Sequence, residues 1–304
     1  MLVLVAQAVA QEPATLHFVV PVPPGGNMDG TARLLAPLLG QRLKAFVVVE
    51  NKPGANTRMG SEWMARSPQN GNALLMAGVS FATNALLYPL SYDPFRDFRP
   101  VAQLTREHLV LAVRANLPAQ TLVELAALAR SQPGGLNCGA SPGVAGIGCT
   151  YFGHVLGAPL VSIPFVGVAP MVNQLLGGHI DLAFIPAEYA IQHATTGRIR
   201  LLAVASARRL EGTLRDLPTL AEWWPGFSLD GFLGVLVPAG TAPARIAQLN
   251  EAFNFALADP AVRESLRLAQ QEPVGGTPEQ FESALRALYQ HYQRVIARIG
   301  MQAP

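Results

Sequence analysis

Apolar and polar positions along the chain switch between two periods. Short apolar runs, rich in β-branched residues, read as strands at about 16–20, 46–50, 73–77, 109–113, 136–138, 161–164 and 232–238. Between and after them, helical spacing appears at about 28–43, 59–66, 121–130, 149–156, 243–257, 260–268 and 278–299. Two helix starts carry capping boxes, Thr121-Leu122-Val123-Glu124 and Thr277-Pro278-Glu279-Gln280, the second with proline at its first position. Pro133-Gly134-Gly135 stops the helix before it. In the last helix Phe281, Leu285, Leu288, Tyr289, Tyr292 and Ile296 share one face, a core-packing stripe. Strand and helix in alternation predict an α/β chain, with parallel sheets flanked by helices.

The loops of this pattern hold the candidate chemistry. Pro23-Pro24-Gly25-Gly26 joins the first strand to the first helix. Glycine lets backbone N–H groups come close to a ligand. The helix start adds unpaired donors and a positive dipole end, a seat for a carboxylate or phosphate. The same residues also suit a plain strand-to-helix turn. Gly78 to Asn84 follows the third strand, at the carboxyl end where contact loops of parallel sheets lie. There Ser80, Thr83 and Asn84 offer hydrogen bonds, or serve as cap and turn residues. A second glycine-rich stretch, residues 139–148, repeats the arrangement of strand, small residues and helix start.

Composition narrows the function. The chain has 304 residues, 50% hydrophobic and 14% charged, enough for one large or two medium domains. A net charge of +2, with 7% aromatics, gives no footprint for nucleic acid or an anionic membrane. No apolar run nears the ~20 residues that span a bilayer. Residues 1–10 read as the end of an export signal, with Ala8-Val9-Ala10 as a small-x-small cleavage site, or as a short apolar strand. Cys138 and Cys149 either pair as a disulfide or stay reduced and buried. Gly139-Ala140-Ser141-Pro142-Gly143 matches the G-x-S-x-G elbow of serine hydrolases. Its oxyanion hole would need the N–H of the residue after the serine, which is Pro142. Asp181, Asp216 or Asp230 with His291 would nominally complete a triad. No P-loop, HExxH or GxGxxG occurs, so neither a cofactor nor a metal is expected.

The motifs also resemble those of one family. Pro23-Pro24-Gly25-Gly26-x-x-Asp29-x-x-Ala32-Arg33 resembles the opening motif of the Bug family, the periplasmic solute-binding proteins of tripartite tricarboxylate transporters. Glu50-Asn51-x-Pro53-Gly54-Ala55, Tyr92-Asp93-Pro94, Asp97-Phe98-x-Pro100-Val101, Gly177-Gly178-x-x-Asp181, Asp216-Leu217-Pro218-Thr219-Leu220-Ala221-Glu222 and Pro238-Ala239-Gly240-Thr241 continue the likeness in the family's order. The resemblance implies a two-domain, flytrap-type periplasmic-binding-protein fold, each domain a mainly parallel sheet flanked by helices. Crossings are expected near 101–104 and 222–227. Domain 1 would comprise residues 11–102 plus 226–304, and domain 2 residues 103–225. A small organic carboxylate would bind between them, for delivery to the transporter's membrane subunits by a periplasmic monomer. Its expected contacts are Val22, Pro24, Gly25, Gly26 and Asp29 in the first loop, Val79, Ser80 and Asn84 after the third strand, Ser141, Gly143, Val144, Ala145 and Gly146 in the second loop, and Phe165, Ile185 and Pro186. Asp29 is assigned to tying its loop to the helix. Ile185 and Pro186 stand where many members carry Asp and a polar neighbour, which argues against an α-amino acid and for an aromatic or medium-chain dicarboxylate. The rival readings are a Ser141 hydrolase and a sensory module presenting its closed form to a receptor.

Overall fold

The computed structural model describes residues 14–141 and 144–301. The proposed export segment, Pro142 and Gly143 lie outside the described residues. Two sheets organise the chain. The first contains β1 (Thr15–Val20), β2 (Phe46–Asn51), β3 (Ala73–Gly78) and β4 (Phe98–Glu107). The second contains β5 (Leu109–Arg114), β6 (Leu136–Ala140), β7 (Leu160–Pro164), β8 (Leu182–Pro186) and β9 (Ile199–Val204). The chain then returns to the first sheet with β10 (Gly231–Pro238) and the short β11 (Glu272–Pro273). Strand orders are β11-β4-β10-β3-β1-β2 and β7-β6-β8-β5-β9.

In each sheet parallel strands meet a reversed one, and in the first sheet the short β11 at the edge also runs antiparallel to β4. β1 runs parallel to β2 and β3, and β10 runs antiparallel to β3 and β4. β6 runs parallel to β7 and β8, and β5 runs antiparallel to β8 and β9. β5 and β10 are the strands by which the chain enters each sheet from the other one. A strand entering from the facing edge must run away from it, while the others run toward it. The carboxyl ends of β1, β3, β6 and β8 are thereby set along facing edges.

The two changes of sheet lie close together. β4 keeps its pairing with β10 as far as Glu107, and β5 pairs in the second sheet from Leu109. On the return, Leu229 N–H still donates to Ala205 O of the second sheet at 2.7 Å, and β10 begins at Gly231. The sheets are thus exchanged at His108 and Asp230, each a few residues beyond the expected crossing. His108 Nδ1 lies 3.3 Å from Asp230 Oδ1 and ties the two crossings together.

Helices cover both faces of each sheet. α1 (Asn27–Leu43), α8 (Pro243–Ala258) and α9 (Pro260–Leu268) enclose one core with Leu16, Phe18, Val20, Leu74 and Met76 of the first sheet. α6 (Val168–Leu176) and α7 (Ala187–Ala194) enclose another with Val110, Ala112, Ala183 and Ile185 of the second. The remaining faces share one core, which joins α2 (Arg58–Ala65), α3 (Val79–Leu87), α4 (Leu122–Ser131), α5 (Val144–Leu156) and α10 (Pro278–Ile299). The stripe on α10 buries Phe281, Leu285, Tyr292 and Ile296 there. It docks against Gly234 of β10, where a Cβ would stand 2.2 Å from the Phe281 ring. Tyr151 stacks on Phe227 at 4.5 Å, fastening the segment before the second crossing.

Two helices begin earlier than the sequence pattern suggests. α3 starts at Val79, directly off Gly78, so residues expected in a loop form its first turns. α5 starts at Val144 rather than near Cys149, because Ala145, Ile147 and Gly148 pack inward from its first turns. Gly148 lies against Leu229 and Phe184, where a Cβ would meet carbons at 2.7 and 2.9 Å.

Cys138 on β6 and Cys149 on α5 form a disulfide, with Cα atoms 5.9 Å apart. It closes a short loop over the second glycine-rich turn. The chain-entropy account gives such a bridge about 3 kcal/mol. Replacing both cysteines with alanine is expected to lower unfolding stability by about that amount, read from urea denaturation. An unchanged midpoint would show that the bridge holds nothing the packing does not.

Candidate functional site

The first loop is built around Asp29. Pro21 to Gly26 leaves β1 and turns into α1, with Gly25 at φ +92°, a conformation that favours glycine. Asp29, in the first turn of α1, is almost fully buried. Its carboxylate accepts from Gly25 N–H at 2.9 Å, from Asn51 Nδ2 at 2.9 Å and from Arg33 Nε at 3.0 Å. Asn51, at the end of β2, also donates to Val22 O at 3.1 Å. Burial alone would raise the Asp29 carboxyl. The bonds from Arg33, Gly25 and Asn51 outweigh it and hold the carboxyl below the usual range. Asp29 therefore occupies the Gly25 donor itself and shapes the turn. The N-cap of α1 is Gly26, which offers no side-chain cap, so the first-turn donors of α1 face outward from the exposed Pro24-Gly25-Gly26 turn.

The other expected residues have mixed placements. Val79 is buried, and Ser80 is half-buried in the first turn of α3, whose N-cap Gly78 also brings no side chain. Asn84 is fully buried: its Nδ2 donates to Asn56 O at 2.6 Å and its Oδ1 accepts from Asn56 Nδ2 at 2.9 Å. It pins a turn in which Ala55, Asn56 and Thr57 all have positive φ, at 48°, 52° and 73°. In the second loop, Ser141 and Ala145 are buried and Val144 and Gly146 half-buried, with Gly146 N–H donating to Ser141 O at 3.1 Å. Phe165 N–H extends the ladder to Ala140 O at 2.9 Å, with its ring against the α6–α7 core. The Ile185 side chain is fully buried in that core, and Pro186 precedes α7 as its N-cap. Gly143 lies outside the described residues.

The facing edges do meet. Asn27, first residue of α1, donates from Nδ2 to Glu188 Oε1 on α7 at 2.9 Å. Glu107, the end of β4, stands in the same cluster and accepts from Gln271 Nε2 at 3.4 Å. Gln271 Oε1 in turn accepts from Thr31 Oγ1 at 3.0 Å. Burial pushes Glu188 up to about 7, and the charge of Glu107 adds to the effect. Burial also raises Glu107. Asn27, Glu107 and Glu188 were not among the expected site residues. α7 itself was not foreseen, and three polar residues far apart in sequence carry no motif. A cavity of about 300 Å³ opens beside this cluster, lined by His108, Ala187, Arg208, Leu210 and Gln271 among others.

The groups that would serve a hydrolase bond elsewhere. Asp181 accepts from Arg114 Nε and Asn137 N–H, each at 2.8 Å. Asp230 pairs with His108, and His291 Nε2 contacts Ser228 O at 2.9 Å. Among the described residues, no group of three or more His, Cys, Asp or Glu could hold a metal ion. No described helix is long and apolar enough to cross a membrane.

Comparison with known proteins gives one consistent result. The family described as "Tripartite tricarboxylate transporter family receptor" matches residues 31–301. Protein BugT of Bordetella pertussis is 32% identical over 295 residues, 94% of this chain and 89% of its own. The periplasmic binding protein BugD has a solved structure similar to this one, with TM-score 0.82 and 27% identity, covering 96% of this chain and 99% of its own. A solved R. palustris protein, Rpa4515 with adipate, gives TM-score 0.86 and 28% identity, with the same coverage.

Removing the carboxylate that shapes the first loop has a calculable cost. Asp29→Ala leaves Gly25 N–H, Asn51 and the Arg33 guanidinium without their acceptor, an expected loss of about 1–3 kcal/mol in urea denaturation at neutral pH. Because the folded Asp29 is held below its ordinary pKa, its contribution is present above the carboxylate range and is lost as pH falls through the lowered value. The gap between wild type and variant should therefore shrink in acid. A gap that stays constant down to strongly acidic pH would contradict the role given to Asp29.

Proposed function

Because the chain belongs to the tripartite tricarboxylate transporter receptor family, we propose that it captures a small organic carboxylate between two lobes and delivers it to the membrane subunits of such a transporter. Lobe one takes residues 14–107 and 231–301, and lobe two residues 109–229. The observation that carries this reading is the uncapped N-terminus of α1 behind the Gly25-Gly26 turn, set on the edge that faces the second sheet. No lysine or arginine belongs to the turn, so backbone donors and the helix dipole hold the carboxylate, with ordered water completing its shell. The start of α5, at Val144 to Gly146, receives the other end of the ligand. Affinity comes from preformed donors in a closing cleft that sheds water.

For ligand class, the reading favours a medium-chain or aromatic dicarboxylate. The adipate of the R. palustris neighbour is a dicarboxylate of that length, which supports the choice. Ile185 lies within the core, so the apolar part of the cleft falls to Val79, Val144 and Phe165. The disulfide fits an oxidising compartment, and BugD is described as periplasmic; both support the reading that this protein works in the periplasm, where we take it to act as a monomer.

A thermal-shift screen against mono-, di- and tricarboxylates, aromatic acids and amino acids tests the reading. A ligand at 100 times its dissociation constant adds about 2.7 kcal/mol, an easily seen rise in Tm. Adipate or an aromatic dicarboxylate is expected to give that rise, and Ser141→Ala is expected to keep it. If no carboxylate shifts the protein, the binding role fails. If Ser141→Ala instead abolishes turnover of an ester, the hydrolase reading takes its place.

A further inference from the structure

The contact between the two lobes at the cleft is chemically unusual. Its first-lobe side is one connected set: Asn27 and Thr31 on α1, Gln271 after α9, and Glu107 at the end of β4, with Thr31 bonded to Gln271 and Gln271 to Glu107. Its second-lobe side is Glu188, in the first turn of α7, which accepts from Asn27 at 2.9 Å. Two carboxyl groups from opposite lobes thus stand in one half-buried cluster, Glu188 bonded to Asn27 and Glu107 to Gln271. The ligand reading above uses neither of them.

Neighbouring charges are already engaged. His108 at the crossing lies 3.3 Å from Asp230 and 3.6 Å from Glu272. Glu272 is paired with Arg106 and Arg208. Arg209 is paired with Glu222, Arg267 with Glu264, and Asp29 with Arg33 on α1. Glu211 lines the adjoining cavity, and His193 stands at the far end of α7. None of the ion pairs among the described residues reaches Glu107 or Glu188. Burial and the charge of Glu107 favour an uncharged Glu188, while burial outweighs the opposing charge of His108 at Glu107.

We propose that the Asn27–Glu188 contact is a proton-operated latch, on which the lobes close while Glu188 is neutral and from which they part when it ionises. A neutral Glu188 still accepts from Asn27 through its carbonyl oxygen. An ionised one is desolvated and faces Glu107. Opening carries α7 away from α1 and returns Glu188 to water, where its carboxyl ionises at the ordinary 4.5. Closing raises that value toward 7, so the closed form takes up a proton. Its advantage is complete below the open-state value, declines as pH rises toward the closed-state value, and is level above it. Between pH 5 and pH 8 the closing equilibrium falls on the order of tenfold, solvent at the half-exposed cluster reducing the ideal effect.

Small-angle X-ray scattering of the ligand-free full chain tests the latch without reference to any ligand, so its outcome is separate from that of the carboxylate reading. Wild type is expected to be more expanded at pH 8 than at pH 5. Glu188→Gln, fixed as neutral, should be equally compact at both. Asn27→Ala should be expanded already at pH 5, and Glu107→Gln should stay compact to higher pH than wild type. Circular dichroism melts establish that each variant is folded. A wild-type radius of gyration that does not change between the two pH values overturns the latch. So does a Glu188→Gln protein that expands as wild type does; should that variant not fold, a Glu107→Gln protein that expands at the wild-type pH overturns it equally.

Discussion

The buried carboxylate of Asp29 binds three separate segments: the end of β2 through Asn51, the glycine turn through Gly25, and its own helix through Arg33. An acid at the start of a helix is favoured by the dipole, and here it is also neutralised by a guanidinium four residues on. The placement resolves an apparent conflict. An acidic residue beside an anion seat would repel the guest if its lone pairs pointed outward. Asp29 directs them into the turn, and the turn then holds the helix start open. Without that knot, the two prolines and two glycines would be a surface loop of no fixed shape, and the donors of α1 would have no defined direction.

The second constraint is topological. A chain that threads two sheets through adjacent crossings must reverse one strand in each. β5 and β10 are those strands, and their direction leaves the carboxyl ends of the parallel strands on facing edges. Ligands of parallel α/β sheets bind at such edges. Two sheets therefore make one cleft. The backs of the lobes are joined by α10, which packs on α5 in the shared core and carries His291, whose Nε2 lies 2.9 Å from Ser228 O.

Much of this was legible in the sequence, because local periodicity and turn chemistry agree with the final fold. Strands β1 to β3, β5 to β7 and β10, the cap at Thr277 and the stripe on α10 follow from spacing, whereas β4, β8, β9, α3, α6 and α7 did not. The family likeness added the two-lobed plan. What local pattern could not show was set by distant partners. α5 begins at Val144 because its small residues pack against Leu229 and Phe184, which come from elsewhere in the chain. Asn84 looked like a ligand donor, yet it spends its amide on a left-handed turn around Asn56. Ile185 suggested an apolar pocket wall, but its strand places it on the face covered by α6 and α7. The Asn27–Glu188 contact joins residues 161 positions apart, and only the facing of the two sheets creates it.

The central claim is that the first-turn donors of α1 and α5 hold the two ends of a carboxylate ligand. Backbone amide shifts followed by NMR during an adipate titration test it most directly. The account predicts that the largest changes fall together at Gly26 to Met28 and at Val144 to Gly146, and saturate with one dissociation constant. Changes confined to the cavity by His108 and Arg208, or binding that leaves both helix starts unmoved, would contradict it.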